Sequence, residues 1–99
     1  MARLIVADPA RLDVREILAM LAQVAGRRVA RRYGANLKAM YRYIAQFPAA
    51  GAPRPPLGPH ARIRVVSPFV MIYDYADGVA TILRVVDGRR DISAELLKR

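Results

Sequence analysis

The chain passes through three regimes of hydrophobic patterning. Leu4-Ile5-Val6-Ala7 is a short apolar run closed by Asp8-Pro9, the pattern of a strand ended by a turn. Val14, Ile17, Leu18, Leu21 and Ala25 then recur at three- and four-residue spacing, which is one face of a helix. Asp8 is its expected N-cap, Pro9 sits in its first turn and Gly26 is its expected C-cap. Tyr33, Leu37, Met40, Tyr41, Ile44 and Phe47 repeat the spacing in a second helix that Pro48 stops, with Arg28, Arg31, Arg32, Lys38 and Arg42 on its opposite side. The very short link between the two predicts an antiparallel helix hairpin, whose two apolar stripes need a third surface to cover.

Between residues 49 and 61 the periodicity disappears. Gly51, Pro53, Pro55, Pro56, Gly58 and Pro59 read as a stiff surface connection, neither strand nor helix. Strand patterning follows in Arg62-Ile63-Arg64-Val65-Val66 and in the aromatic and β-branched run Phe69 to Tyr75. Ala76-Asp77-Gly78 is a hairpin turn, Val79 to Val86 the return strand, and Asp87-Gly88 ends it. Ile92 to Leu97 reads as a short final helix or a tail. The predicted fold is α+β, one domain over residues 1–99: an N-terminal strand, the helix hairpin, then a three-stranded antiparallel meander forming one curved sheet.

Composition narrows the function. Apolar residues make up 55% of the 99, which excludes a disordered chain. Seventeen basic side chains face eight acidic ones, a net +9, and fifteen of the seventeen are arginine. Arginine grips carboxylate and phosphate with a two-pronged fork, so an acidic partner is expected. No cysteine is present, which removes disulfides, zinc–thiolate sites and a cysteine nucleophile and agrees with a reducing compartment. The single histidine, His60, cannot build a multi-histidine metal site and leaves a serine triad hard to assemble. No run approaches the roughly 18 apolar residues of a membrane span, and Met1 to Val6 lacks the apolar core of a signal peptide. A cytoplasmic protein without cofactor or metal is expected.

The excess charge is localised. Residues 1–48 carry nine basic and three acidic side chains, residues 49–68 three and none, and residues 69–99 five of each. The second-helix stripe reads as a solvated face. The strand arginines are more informative: Arg62 and Arg64 share one side of their strand, Arg84 interrupts the apolar run Ile82 to Val86, and Arg89 and Arg90 follow at its end. In a meander these five are expected to cluster on one exposed sheet face as an anion- or partner-binding groove. Unrelated surface charges paired with Asp74, Asp87 or Asp91 are the alternative. His60 reads as exposed, most tyrosines as core, and Asp13 and Glu16 as acids placed by the helix dipole. No glycine-rich phosphate loop is present.

The ordered set of segments resembles the ParE branch of the RelE/ParE toxin family of bacterial type II toxin–antitoxin systems. The resemblance is carried by Ala10-Arg11-Leu12-Asp13-Val14-Arg15-Glu16-Ile17, Ile44-Ala45-Gln46-Phe47-Pro48, Gly51-Ala52-Pro53-Arg54-Pro55, Phe69-Val70-Met71-Ile72-Tyr73 and Ile82-Leu83-Arg84-Val85-Val86-Asp87-Gly88-Arg89-Arg90-Asp91. It implies a helix hairpin packed on an antiparallel sheet and a plasmid-stabilisation type of system. It further implies a cognate ParD-like antitoxin, acidic and partly disordered, that folds over the toxin as a hetero-oligomer. ParE-like members act on DNA gyrase, trapping it on cleaved DNA; RelE-like members cut mRNA on the ribosome. Val70 stands where RelE-type nucleases place an arginine, and neither tyrosine nor histidine follows Tyr75. Asp74 and Asp87 stand where ParE-like chains often carry arginine and histidine. No catalytic residue is assigned, and Arg62, Arg64, Arg84, Arg89 and Arg90 are the expected antitoxin- or target-binding set. Three readings follow: a gyrase-binding toxin, a ribosome-dependent endoribonuclease, and a basic nucleic-acid-binding module without toxicity.

Overall fold

The computed structural model describes residues 1–98. Strand β1 (Arg3–Val6) leads into helix α1 (Asp8–Ala25), helix α2 (Arg27–Gln46), strands β2 (Ala52–Pro53), β3 (Ala61–Val66), β4 (Phe69–Ala76) and β5 (Val79–Asp87). Two short 3₁₀ turns, Pro55–Leu57 and Ala94–Leu97, flank the meander. The sheet order is β1-β5-β4-β3-β2; β1 runs parallel to β5 and the other pairs are antiparallel. The expected α+β arrangement holds, enlarged by one strand. Ala52 and Pro53 pair with Ile63 and Arg62, so the proline-rich connection contributes a two-residue edge strand where neither strand nor helix is expected. A proline is tolerated there because an edge strand leaves one side unpaired.

Helix α1 begins at Asp8 itself, with Ala7 as N-cap and no side-chain cap. Gly26 ends α1 and starts α2; its φ of 92° lies where a side chain would be strained, and it lets the chain reverse in one residue. Asp77 and Gly78, at φ 53° and 76°, form the hairpin turn read from the sequence.

The sheet is covered on both faces. Ala10, Leu37 and Ile44 of the helices meet Phe69, Met71, Tyr73, Ala80, Ile82 and Val85. On the other face Val70, Ile72 and Val86 pack with Leu57, Ala61 and Leu96 from the 3₁₀ turns and the start of β3. Phe69 to Tyr73 are consequently buried without interruption, as the central strand of a sheet covered on both sides must be. Leu96 settles the reading of the C-terminal segment: it is a turn sealing the second face. That seal reaches Arg84, which was expected on an open sheet face and donates to the Leu96 carbonyl. Among the described residues no helix is long and apolar enough to cross a membrane.

Candidate functional site

The five sheet arginines do not form one cluster. Arg84, 4% exposed, is the clearest departure from the expected exposed set. Strand β1 stops pairing at Val6, opposite Ile82, so the following half of β5 has no strand neighbour on that side. Asp13 of α1 fills the gap. Its Oδ2 accepts the Val85 N–H at 2.9 Å and Arg84 Nε–H at 2.6 Å, while Oδ1 accepts Arg84 Nη2–H at 2.9 Å. The remaining fork of Arg84 donates to the Leu96 carbonyl at 2.5 Å. One arginine thus ties the first helix, the last strand and the C-terminal turn together. The Asp13 hydrogen bonds hold its pKa above the ordinary guanidinium value. This group is inside the protein and cannot meet a partner; its carboxylate is Asp13, not Asp74, Asp87 or Asp91. The placement of Asp13, 7% exposed, follows from this pair and not from the helix dipole alone.

Arg62 is also engaged internally. Its Nη1 donates to the carbonyls of Ala49 (3.0 Å) and Gly51 (2.8 Å) in the loop after α2. The same loop is held from the other side by Tyr73, whose hydroxyl donates to Pro48 O at 2.6 Å and accepts the Gly51 N–H at 2.9 Å. Burial of that phenol pushes its pKa up.

Arg89 folds back on Asp87: its Nε and backbone N–H share Oδ1, and Nη2 meets Oδ2 at 2.8 Å. These hydrogen bonds bring the Asp87 pKa down to about 2 from 3.8. A carboxylate whose folded value is depressed stabilises the fold fully above its unfolded value and loses that contribution as pH falls through the folded value. For Asp87 the window is therefore roughly pH 4 down to 2. An NMR titration of its carboxyl carbon is expected to show a midpoint near 2, and Arg89→Ala is expected to return it toward 3.8. An unchanged midpoint in the variant would place the cause elsewhere. Arg90 is exposed and borders a small cavity of about 240 Å³ with Glu16, Met20, Phe69 and Asp87.

Arg64 is the sheet arginine whose chemistry stays open. Its guanidinium lies over the Tyr43 ring, 4.8 Å from the centroid, and its Nε is buried with no hydrogen-bond partner among the described residues. It sits in a groove of about 390 Å³ between α2 and β3, lined also by Met40, Tyr43, Val65 and Val66. Strand β2 covers β3 only at Arg62 and Ile63, so the β3 edge beyond is open. Three large apolar groups come to the surface here: Val65 is 59% exposed, Phe47 49% and Tyr43 39%, with the Tyr43 and Phe47 rings 5.1 Å apart. An aromatic and aliphatic patch beside an unsatisfied arginine donor is the make-up of a protein-binding surface. The sequence spacing puts Phe47 in the apolar stripe of the second helix, and Tyr43 is one of the tyrosines read mostly as core. The signal for exposure was Pro48: α2 ends at Gln46, and Phe47 falls past its packed face.

His60 is exposed in the loop before β3, where its carbonyl accepts the Tyr75 N–H at 3.1 Å. Among the described residues no three metal-ligating side chains come together.

The sequence matches the family model for the ParE toxin of the type II toxin–antitoxin system parDE over residues 4–92. Among solved structures, the chain is similar to that of the chromosomal ParDE toxin–antitoxin system of P. aeruginosa, with a TM-score of 0.75 at 21% identity, covering 88% of this chain and 96% of that one. At that identity the likeness is one of fold. No curated protein gives a significant match. The family match takes in both helices and the sheet through β5, including the Asp13–Arg84 tie and the α2–β3 groove: the chain belongs to the ParE toxin family of type II toxin–antitoxin systems.

Proposed function

We propose that this toxin acts without catalysis, by binding DNA gyrase and holding it on cleaved DNA, and that an acidic, partly disordered antitoxin segment neutralises it. The observation that carries the reading is how the exposed and spent groups divide. Arg62, Arg84 and Arg89, three of the five arginines expected to bind antitoxin or target, hydrogen-bond to the protein's own carbonyls and carboxylates, and Arg62 and Arg89 are two of the four that could hold RNA phosphates. Tyr43, Phe47 and Val65 face outward around Arg64. Cleavage of RNA also needs one group to take the 2′-OH proton and another to protonate the leaving oxygen, work that arginine does poorly. Induction in cells is expected to arrest growth and raise the DNA-damage response while messages stay intact, with relief by the neighbouring antitoxin gene. Codon-positioned cuts within translated messages would overturn the proposal in favour of ribosome-dependent cleavage.

The antitoxin contact is assigned to the α2–β3 groove. Ordering a disordered segment costs about 2–5 kcal/mol. Burial of Tyr43, Phe47 and Val65 offsets this, and the basic surface speeds and orients the encounter. The Arg64 guanidinium lining the groove supplies the positive charge for a carboxylate of the segment. Arg64→Ala is expected to slow association several-fold and flatten its salt dependence more than it raises the dissociation rate. Stopped-flow mixing at two ionic strengths measures both. An association rate equal to that of the unaltered toxin would put the acidic segment on a different face.

A further inference from the structure

The cations of α2 have no role in the fold. Arg27, Arg28, Arg31, Arg32, Lys38 and Arg42 are all exposed, and none forms a hydrogen bond or salt bridge to another described residue. No acidic residue occurs between Arg27 and Gln46. At 100° per residue, Arg27, Arg31, Lys38 and Arg42 fall within an arc of about 60°, and at 1.5 Å per residue they extend over about 22 Å. Like charges held this close on a rigid rod repel one another, so the array is unfavourable until an anion is laid along it.

The residues between the cations decide what kind of anion. This face offers only Gly34 and Ala35 from α2, small residues that give a protein partner little to hold beyond the half-buried Leu18 of α1. Gly34 is the more telling. A Cβ there would meet Leu18 at 3.5 Å, an ordinary contact, so packing does not demand glycine in the middle of this helix. Its effect is on the surface: between Arg31 and Lys38 it opens a groove of about 520 Å³ bordered by Leu18, where a ligand backbone can approach closely. Duplex DNA presents about one negative charge per 1.7 Å and needs only charge and forked donors to hold it.

We propose that the solvent face of α2 is a second binding surface, one that holds the phosphate backbone of duplex DNA without reading sequence. It is separate from the α2–β3 groove and does not depend on gyrase. The toxin would thereby contact DNA directly while its groove engages a protein.

The test is anisotropy titration of a fluorescein-labelled 20-base-pair duplex over a series of salt concentrations, with no gyrase present. About four phosphate contacts predict that log K falls with log salt at a slope near −3.6. Arg31→Ala/Lys38→Ala is expected to make that slope shallower by about two units at unchanged melting temperature. Arg3→Ala/Arg54→Ala, an equal loss of charge at two exposed positions off α2, is expected to leave it nearly unchanged. Equal losses in the two variants would reduce the effect to net charge and overturn the proposal. So would poly-glutamate binding as tightly as the duplex with the same dependence on Arg31 and Lys38, which would make the face a site for acidic protein. Because gyrase is absent, failure here leaves the gyrase proposal standing, and failure to act on gyrase does not alter this measurement.

Discussion

Replacing Asp13 by leucine is expected to cost about 3–5 kcal/mol, a large part of the roughly 5–15 kcal/mol that holds a domain of this kind together. The carboxylate accepts three hydrogen bonds, two from Arg84 and one from the Val85 N–H. Its loss leaves a guanidinium 4% exposed with no counter-charge and a β5 amide without an acceptor. Arg84→Met is expected to cost slightly less, because the Leu96 carbonyl and one carboxylate lose their donors but Val85 keeps its acceptor. The double variant Asp13→Leu/Arg84→Met removes both charges and is expected to recover part of the loss, the remainder being the Val85 amide and the Leu96 carbonyl left unpaired. Urea unfolding of the three variants measures this. Single variants within about 1 kcal/mol of the unaltered protein would contradict the buried tie.

The second large effect is expected at the loop after α2. An added Cβ on Gly51 would collide with the Tyr73 hydroxyl oxygen and lie 2.9 Å from the Ile63 carbonyl oxygen. Gly51→Ala must therefore push the phenol or the loop aside, at about 1–3 kcal/mol or more. Tyr73→Phe strands the Gly51 N–H and the Pro48 carbonyl, at about 1–3 kcal/mol for buried groups left unpaired. The two changes share one cause, so they are not expected to add. With the hydroxyl gone, the alanine methyl meets one obstacle fewer, and the coupling is expected to exceed about 0.5 kcal/mol in the relieving direction. A double-mutant cycle by chemical denaturation gives the number. Strict additivity would mean that the obstacle at Gly51 is the Tyr73 ring carbon Cε1 and the Ile63 carbonyl, which Tyr73→Phe leaves in place, and not the hydroxyl.

The helix hairpin was legible because Val14, Ile17 and Leu21, and then Leu37, Met40 and Ile44, repeat at a period that only a helix turns to one side. Asp77-Gly78 was legible because its turn demands positive φ twice. Strand β2 was not, since two residues have no period and its pairing is decided by the β3 register. Arg84 was misplaced for a related reason. Its partner lies 71 positions away, and alternation along β5 says nothing of a helix carboxylate reaching around an unpaired edge. A trace was present: a lone arginine inside Ile82 to Val86 and a lone aspartate between Leu12 and Val14 are each anomalous, and charges in such surroundings need one another. The groove beside Arg64 was half visible. The arginine stood out in the sequence, but its platform joins Tyr43 to β3 across the proline-rich loop, a contact that no local pattern encodes.

Gyrase is the proposed target of this ParE-family toxin. The most direct measurement incubates purified, folded toxin with DNA gyrase, ATP and supercoiled plasmid, stops the reaction with detergent and protease, and quantifies linear DNA alongside a supercoiling assay. Linear DNA is expected to accumulate and supercoiling to fall at micromolar toxin, and prior addition of the antitoxin is expected to abolish both. Unaffected supercoiling and no linear DNA, from protein shown by circular dichroism to be folded, would contradict gyrase as the target.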